Sequence, residues 1–225
     1  MPTNILPDYS AALLDLIATH SFKLGDFTLA SGARSDYYID CRITTLHAEG
    51  GRLSGLIFYD LIQQLPNADQ IEAVGGLTMG ADPLVSNTAS ASAWALAGYT
   101  EIRTLAADRE LDPEDEDEEP APLLIHGFLV RKAEKTHGTG RRIEGFLRPG
   151  AHVVIVDDVC TTGGSTITAI ETAREAGMHV AAVLCLVDRE QGGRAHIEAT
   201  IPGVPFIAAF TAKDVRAAHI ALKAK

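Results

Sequence analysis

Two adjacent acids, Asp157 and Asp158, and the loop of small residues after them form the strongest chemical signal in the sequence. The segment VVIVDDVCTTGGST, residues 153–166, predicts a buried strand that ends in the two acids, followed by a loop and the start of a helix. Ligands of α/β sheets bind beyond the carboxyl ends of the strands. We therefore place a candidate binding site at this turn.

The loop after the acids has the composition of a phosphate-binding turn. Its backbone can direct several N–H groups toward one point beside the positive end of a helix dipole, and its hydroxyl groups, with that of Thr166, add donors. The sequence contains neither a GxxxxGK[ST] loop nor a GxGxxG fingerprint, so it predicts neither a nucleotide P-loop nor a dinucleotide site. We call this loop the phosphate cradle; it comprises Thr161, Thr162, Gly163, Gly164 and Ser165.

The two carboxylates indicate what lies beside the phosphate. An ionised carboxylate only accepts hydrogen bonds, so Asp157 and Asp158 suit the vicinal hydroxyls of a ribose better than a phosphate. Together with the phosphate cradle they describe a site for a ribose 5-phosphate. The competing interpretation is an ordinary capped strand–loop–helix turn with two solvent-facing acids, which does not require both the acids and the small polar loop.

A second segment, FLVRKAEKTHGTGRRIEG at residues 128–145, is basic and punctuated by glycine. Gly138 and Gly140 disfavour a regular helix, and the cations could cover a polyanion, so the segment predicts a mobile lid over residues 131–145. Taken alone, it could equally be a solvated basic loop. Its cationic side chains are Arg131, Lys132, Lys135, His137, Arg141 and Arg142.

The acidic pair and the phosphate cradle resemble the signature of the type I phosphoribosyltransferases. The resemblance implies an α/β fold, a parallel sheet flanked by helices with a small N-terminal hood. It implies that Asp157 and Asp158 hold the ribose hydroxyls of phosphoribosyl pyrophosphate while the cradle binds the 5-phosphate. It also implies Mg²⁺, held mainly by substrate oxygens and water, so no metal-ligating residues are predicted.

The pattern RKxxKxHGxG in the lid closely resembles the catalytic loop of the orotate phosphoribosyltransferases. That resemblance implies that Arg131, Lys132, Lys135 and His137 bind the pyrophosphate group. It also implies that Lys135 and His137 act in catalysis together with the acidic pair. In that family the loop reaches into the neighbouring subunit's site, which implies a homodimer with shared active sites.

Three further segments agree with this family. FTLASGARSDYYID resembles its N-terminal segment, whose paired aromatics contact the base, here Tyr37 and Tyr38. GLTMGADPL resembles the loop near the pyrophosphate. VDREQGG places Arg189 where the family binds the orotate carboxylate, for which a guanidinium fork is well suited, and Thr161 matches a position that touches orotate.

The chain departs from the family at two positions where a lysine is frequent: Ala30 before Ser31-Gly32, and Gly80 in the GLTMG loop. Each departure removes a cation that could hold pyrophosphate. The resemblance implies transfer of the phosphoribosyl group to orotate in pyrimidine (UMP) biosynthesis. Two alternatives stay open: a phosphoribosyltransferase for another base, and a non-catalytic regulator that senses phosphoribosyl pyrophosphate.

The remaining sequence predicts the helices and strands that position these residues. A first helix is predicted from near Asp8 or Ser10, and a second over about 48–65. Continuous apolar runs that alternate with helices then predict a parallel sheet covered on both faces. We expect one domain over residues 1–225, with the hood at about 1–45 and an acidic insertion at about 108–122.

Most of the negative charge of the chain lies in the acidic insertion. Of the formal net charge of −11, the run from Glu110 to Glu119 contributes eight acids and no base, so the insertion predicts a solvated, mobile loop with a solubilising role. A regulatory or partner-binding segment is the alternative.

We expect no nucleic-acid partner, because no large basic face is visible. Three well-separated cysteines and the lack of a leader or 18-residue apolar run predict reduced thiols, a cytoplasmic location and no membrane contact.

Overall fold

A computed structural model describes residues 9–28, 34–108, 120–132 and 142–224. Several predicted features lie outside these residues. They are Ala30 and the Ser31-Gly32 turn, the acidic run from Glu110 to Glu119, and the lid residues Lys135, His137 and Arg141.

The strands form two sheets. The first is a two-stranded antiparallel sheet, and the second has six strands in the order β5-β4-β3-β6-β7-β8. Every neighbouring pair in the larger sheet is parallel except β4 and β5. The strands are β1 (Phe22–Thr28), β2 (Arg34–Ile39), β3 (Ile71–Leu77), β4 (His126–Val130), β5 (Ile143–Gly145), β6 (His152–Cys160), β7 (His179–Asp188) and β8 (Phe206–Thr211).

The helices follow the strands in the alternation that the sequence predicts. The second helix begins at Ala48 as expected and ends at Gln63, two residues before the predicted limit. A π-helical turn (Ile17–Ser21) extends the first helix, and a 3-10 turn (Ala68–Gln70) precedes β3. The helices are α1 (Ser10–Leu16), α2 (Arg42–Thr45), α3 (Ala48–Gln63), α4 (Ala81–Asp108), α5 (Gly164–Glu175), α6 (Gly193–Thr200) and α7 (Ala212–Lys223).

Both faces of the large sheet are buried, which confirms the predicted layering. Alternate residues of β6 point to opposite faces. Val154 and Val156 pack into a cluster with α1, α3, α4 and α7, whereas Val153 and Ile155 pack into a second cluster with α5 and α6. Because neither face meets water, the interior of such a strand is apolar on both faces, as in residues 153–156 of β6.

The strand that carries the acidic pair is longer than the sequence suggests. Asp157 and Asp158 were expected at its end, but β6 continues to Cys160 because its last residues still pair with β7, Cys160 opposite Asp188. The acids therefore sit on a rigid, hydrogen-bonded backbone. No helix in the described parts of the chain has the length and apolar character needed to cross a membrane.

Candidate active site at the carboxyl edge of the sheet

The five residues of the phosphate cradle surround one cavity of about 270 Å³, together with Asp157 and Val159. The cradle connects β6 to α5, whose first residue is Gly164, so the helix N-terminus faces this cavity. Gly163 has φ 82°, and a Cβ there would lie 3.0 Å from Ile197 and 3.1 Å from the carbonyl oxygen of Gly193. Glycine is thus needed both for the turn and for the close packing of α6 behind it.

A second cavity of about 240 Å³ lies beside the cradle, and we call it the donor cleft. It shares Asp157, Val159 and Ser165 with the cradle cavity, so the two are adjacent. A ligand that places a phosphate in the cradle can therefore extend into the donor cleft. The other lining residues are Tyr38, Ile39, Asp40, Arg42, Leu77, Thr78, Met79, Gly80, Lys132 and Asp158.

Asp157 lies where the two cavities meet, with Asp158 beside it, and hydrogen bonds hold the Asp157 carboxylate in place. Asp157 is 7% exposed; its Oδ2 accepts a 2.6 Å hydrogen bond from the Thr166 hydroxyl, and its Oδ1 accepts one from the Asp158 N–H at 3.0 Å. Burial, followed by the charge of Asp158, raises the pKa of Asp157 to about 7. Burial also raises the pKa of Asp158. Hydroxyl donors or a cation from a ligand would stabilise the ionised pair.

The two tyrosines are separated by the strand that carries them. Neighbouring residues of a strand point to opposite faces, so Tyr38 lines the donor cleft while Tyr37 stacks on Phe22 in the hood. Arg189 is 8% exposed and lies with Tyr37, its guanidinium carbon 4.7 Å from the ring centre, and it donates to the Ser35 hydroxyl at 3.2 Å. The structure thus groups Arg189 with Tyr37, outside the linings of the cradle and the donor cleft.

The lid is described only at its two ends. Lys132 is exposed and lines the donor cleft. Arg131 lies 3.1 Å from Glu144 (Nε to Oε1), and its backbone N–H donates to the carbonyl of Arg142. The lid therefore starts beside the donor cleft.

The structure adds site residues that sequence reasoning missed. Asp40 and Arg42 line the donor cleft. A sequence signal for Asp40 was available, because it follows Tyr38 by two residues and the alternation of a strand places such residues on the same side. Thr166, expected to add a phosphate donor, instead bonds to Asp157 and is 2% exposed. Gly80 lies against the acidic pair, because a Cβ there would come within 2.3 Å of Asp158 Oδ1.

The residues of the donor cleft do not by themselves build a metal site. Within the described ranges, no group of three or more His, Cys, Asp or Glu side chains is placed to hold a metal ion. The carboxylates of Asp40, Asp157 and Asp158 nevertheless line one cleft. Hard carboxylate oxygens suit Mg²⁺, which usually keeps several waters and is bound partly by substrate phosphates. This donor set therefore fits a Mg²⁺ ion that arrives with a phosphorylated ligand.

Comparison with known proteins agrees with this geometry. The phosphoribosyl transferase domain family matches residues 129–221, which contain the cradle and both acids. The orotate phosphoribosyltransferase of Synechocystis sp. is 42% identical over 205 residues, covering 91% of this chain and 87% of that protein. The orotate phosphoribosyltransferase of Aquifex aeolicus is 37% identical over 206 residues, covering 90% and 95%.

Solved structures show the same fold. The crystal structure of Mycobacterium tuberculosis H37Rv orotate phosphoribosyltransferase in complex with 5-phospho-alpha-D-ribosyl 1-diphosphate matches with a TM-score of 0.66 and 28% identity, covering 93% of this chain and 99% of its own. The same enzyme in complex with Fe(III) dicitrate matches with a TM-score of 0.68 and 31% identity, at the same coverage. On these sequence and structural matches, the chain belongs to the orotate phosphoribosyltransferase family.

Proposed function

We propose that this protein transfers the 5-phosphoribosyl group from phosphoribosyl pyrophosphate to orotate, giving orotidine 5'-phosphate and pyrophosphate in pyrimidine biosynthesis. The observation that carries the proposal is the adjacency of the phosphate cradle and the donor cleft, which share Asp157, Val159 and Ser165. A ribose 5-phosphate needs a phosphate cavity and an acceptor for its hydroxyls next to each other, and the acidic pair beside the cradle supports this arrangement. The family membership supports the same reaction.

The mechanism assigns a separate task to each part of the site. The cradle holds the 5-phosphate at the positive end of α5, and Asp157 and Asp158 accept hydrogen bonds from the ribose hydroxyls. Cleavage of the bond between C1 and pyrophosphate gives an oxocarbenium-like sugar; N1 of orotate loses its proton to water or to the released pyrophosphate and bonds to C1. Because no group of the protein forms a covalent bond in this scheme, catalysis rests on positioning and charge stabilisation.

The leaving pyrophosphate needs positive charge. A Mg²⁺ ion bound with the substrate would supply part of it, beside the carboxylates of Asp40, Asp157 and Asp158. The lid supplies the rest in this proposal: Arg131, Lys132 and Lys135 neutralise the leaving group, and His137 donates a hydrogen bond to it. Closure of the lid also keeps water from trapping the reactive sugar.

The base site is proposed from the residues near the hood. In this proposal Arg189 binds the orotate carboxylate and Tyr37 and Thr161 contact the ring, while Tyr38, on the opposite face of β2, borders the same region from the donor cleft. The packing of Arg189 on Tyr37 supports part of this assignment, since the two residues belong to one cluster. We further propose a single-domain, cytoplasmic enzyme that works as a homodimer, each lid serving the partner's site.

A panel of bases tests the reaction directly. The protein is mixed with Mg²⁺, phosphoribosyl pyrophosphate and one base at a time, and pyrophosphate release is measured. We expect release with orotate and formation of orotidine 5'-phosphate. Release with another base would favour the first alternative, a changed base preference, which Gly80 leaves open by removing a family lysine. Tight donor binding without turnover for any base would favour the regulator.

A further inference from the structure

Arg42 occupies a defined place in the donor cleft. It is the first residue of α2, separated from β2 by Asp40 and Cys41, and lines the cleft with the acidic pair. Its Nε donates to Asp40 Oδ1 and its Nη2 to Asp40 Oδ2, both at 2.8 Å, while its backbone N–H donates to Oδ1 at 3.2 Å. This two-pronged pairing fixes the plane of the guanidinium.

The fixed guanidinium keeps unused donors. A guanidinium carries five N–H bonds, and Asp40 accepts two of them. Among the residues that the structure describes, no other partner accepts from Arg42, so three N–H groups remain for a ligand. The side chain is 45% exposed, which leaves it open to the cleft. An arginine held by one carboxylate with free donors toward a cavity is a pre-organised receptor for a second anion.

The part of the cleft around Arg42 is otherwise poor in positive charge. Asp40, Asp157 and Asp158 line the cleft, and Lys132 is the other cation among its described lining residues. Position 80 cannot supply a cation without rearrangement, because a side chain there would meet Asp158 at 2.3 Å from its first carbon. An anionic ligand in this cleft therefore depends strongly on Arg42.

We propose that Arg42 binds the diphosphate group of phosphoribosyl pyrophosphate, as a cation that replaces the one lost at position 80. The inference rests on the proposed function. The ribose lies at Asp157 and Asp158, and its 5-phosphate lies in the cradle, so the diphosphate on C1 extends toward the remaining cleft wall. Arg42 and the Thr78–Gly80 loop are among the residues that line the rest of the cleft.

The simpler interpretation is a local surface ion pair with no ligand. The chain contains a matched pair of that kind, Arg52 with Glu49: Nε donates to Oε2 at 2.9 Å and Nη2 to Oε1 at 2.6 Å. Arg52 is 47% exposed and lies in a different groove, beside Trp94. It matches Arg42 in geometry and exposure but not in location, so Arg52→Ala is the natural control.

Direct binding measurements test the proposal without requiring turnover. Isothermal titration of the full chain with Mg²⁺ measures the affinity for phosphoribosyl pyrophosphate, for pyrophosphate, and for orotidine 5'-phosphate, which lacks a diphosphate. We expect Arg42→Ala to weaken the first two by about 10-fold or more, as loss of a charge-assisted hydrogen bond implies. Its affinity for orotidine 5'-phosphate should stay within about 2-fold of wild type. Arg42→Lys keeps the charge but not the forked pair of donors, so its affinity for the first two ligands should lie between those of wild type and Arg42→Ala.

The outcomes separate this proposal from the proposed function. Unchanged donor and pyrophosphate affinity in a folded Arg42→Ala protein, or an equal loss in Arg52→Ala, would overturn the role of Arg42. An equal loss of orotidine 5'-phosphate affinity would also overturn it, since the effect would not involve the diphosphate. If Arg42→Ala does not fold, Arg42→Lys is used instead, and its loss of affinity for phosphoribosyl pyrophosphate and pyrophosphate is compared with its loss for orotidine 5'-phosphate. A wild-type protein that binds neither donor nor product would instead contradict the proposed function.

Discussion

At the scale of single residues, the site depends on two carboxylates that the fold holds in an unfavourable environment. Thr166 orients Asp157, and Gly80 leaves room for Asp158. The fold thus keeps two carboxylates in a largely buried place, where burial raises the pKa of both, and a ligand that donates hydrogen bonds would stabilise their ionised form. Substitutions here should therefore change ligand binding more than folding.

Neutralising both acids should abolish efficient turnover. In the Asp157→Asn, Asp158→Asn double variant, each lost hydrogen bond from a hydroxyl to a charged acceptor costs roughly 1.5–3 kcal/mol. We expect kcat/KM for phosphoribosyl pyrophosphate to fall by at least about 100-fold, measured by pyrophosphate release. Wild-type kcat/KM in a folded double variant would refute the diol assignment.

The raised pKa of Asp157 predicts a pH dependence of stability. Its pKa rises from 3.8 to about 7 on folding, so the folded state binds the proton more tightly than the unfolded state between these values. The free energy of unfolding should therefore fall as the pH rises from about 4 to about 7 and level off above. Denaturant unfolding at several pH values measures this slope, and Asp157→Asn should flatten it. An equal slope in that variant would contradict the assignment.

Ionisation of Asp157, which lowers the free energy of unfolding, should strengthen binding of the phosphoribosyl donor. Only the ionised carboxylate accepts two hydroxyl hydrogen bonds, so affinity for phosphoribosyl pyrophosphate should rise as the pH increases toward about 7. Titration calorimetry at fixed Mg²⁺ between pH 5.5 and 8 (roughly one pH unit or more on each side of that pKa) measures the trend. Affinity that is flat over this range, after correction for ionisation of the donor, would show that Asp157 does not titrate in the site.

A side chain at position 80 should displace Asp158 and so weaken the site. In Gly80→Ala the new Cβ would meet Asp158 Oδ1 at 2.3 Å, so Asp158 must move and kcat/KM should fall by about 10-fold or more. Gly98→Ala is the control, because a Cβ at that position within α4 meets nothing within 4 Å. It should leave kinetics unchanged and stabilise the helix by roughly 0.5–1 kcal/mol. Equal activity of the two variants would rule out the packing argument.

At the scale of elements, the apolar pattern predicted β3, β6, β7 and β8 and the helices that follow β3 and β6. It did not predict β4 or β5: the five residues of β4 run into the basic lid segment, and the three of β5 are too few to produce a period. Nor did it predict that Arg42 and Asp158 would line one cavity. Contacts between residues more than 100 positions apart depend on how the elements pack, and local patterns carry no information about that packing.

The acidic insertion is an element that the fold should not need. Residues 112–119 contain one proline and otherwise acids, so they offer no side chain for a core. Their deletion should leave the thermal midpoint and steady-state kinetics nearly unchanged. A large drop in thermal stability, or a changed KM for the anionic donor, would show that the segment supports the fold or acts on the site through its charge.

At the scale of the whole molecule, the proposal of shared sites predicts complementation. Lys135→Ala and Asp158→Asn homodimers, each nearly inactive, are unfolded together in equal amounts and refolded. Half of the random dimers are mixed, and each mixed dimer has one site with both defects and one with neither, so about a quarter of wild-type activity per chain should return. If every lid served its own subunit, mixing would restore nothing, provided that subunit exchange is shown independently.

All three cysteine thiols of the chain are enclosed: Cys41, Cys160 and Cys185 are free thiols with 0% exposure. An alkylating reagent can therefore reach them only when the surrounding structure opens, and the labelling rate measures the free energy of that opening. Cys160 and Cys185 lie in central strands and should react only on global unfolding, whereas Cys41, beside the four-residue α2, should react through a smaller opening. The natural cysteines thus allow the local stability of the donor cleft and the global stability of the sheet to be followed separately by mass spectrometry.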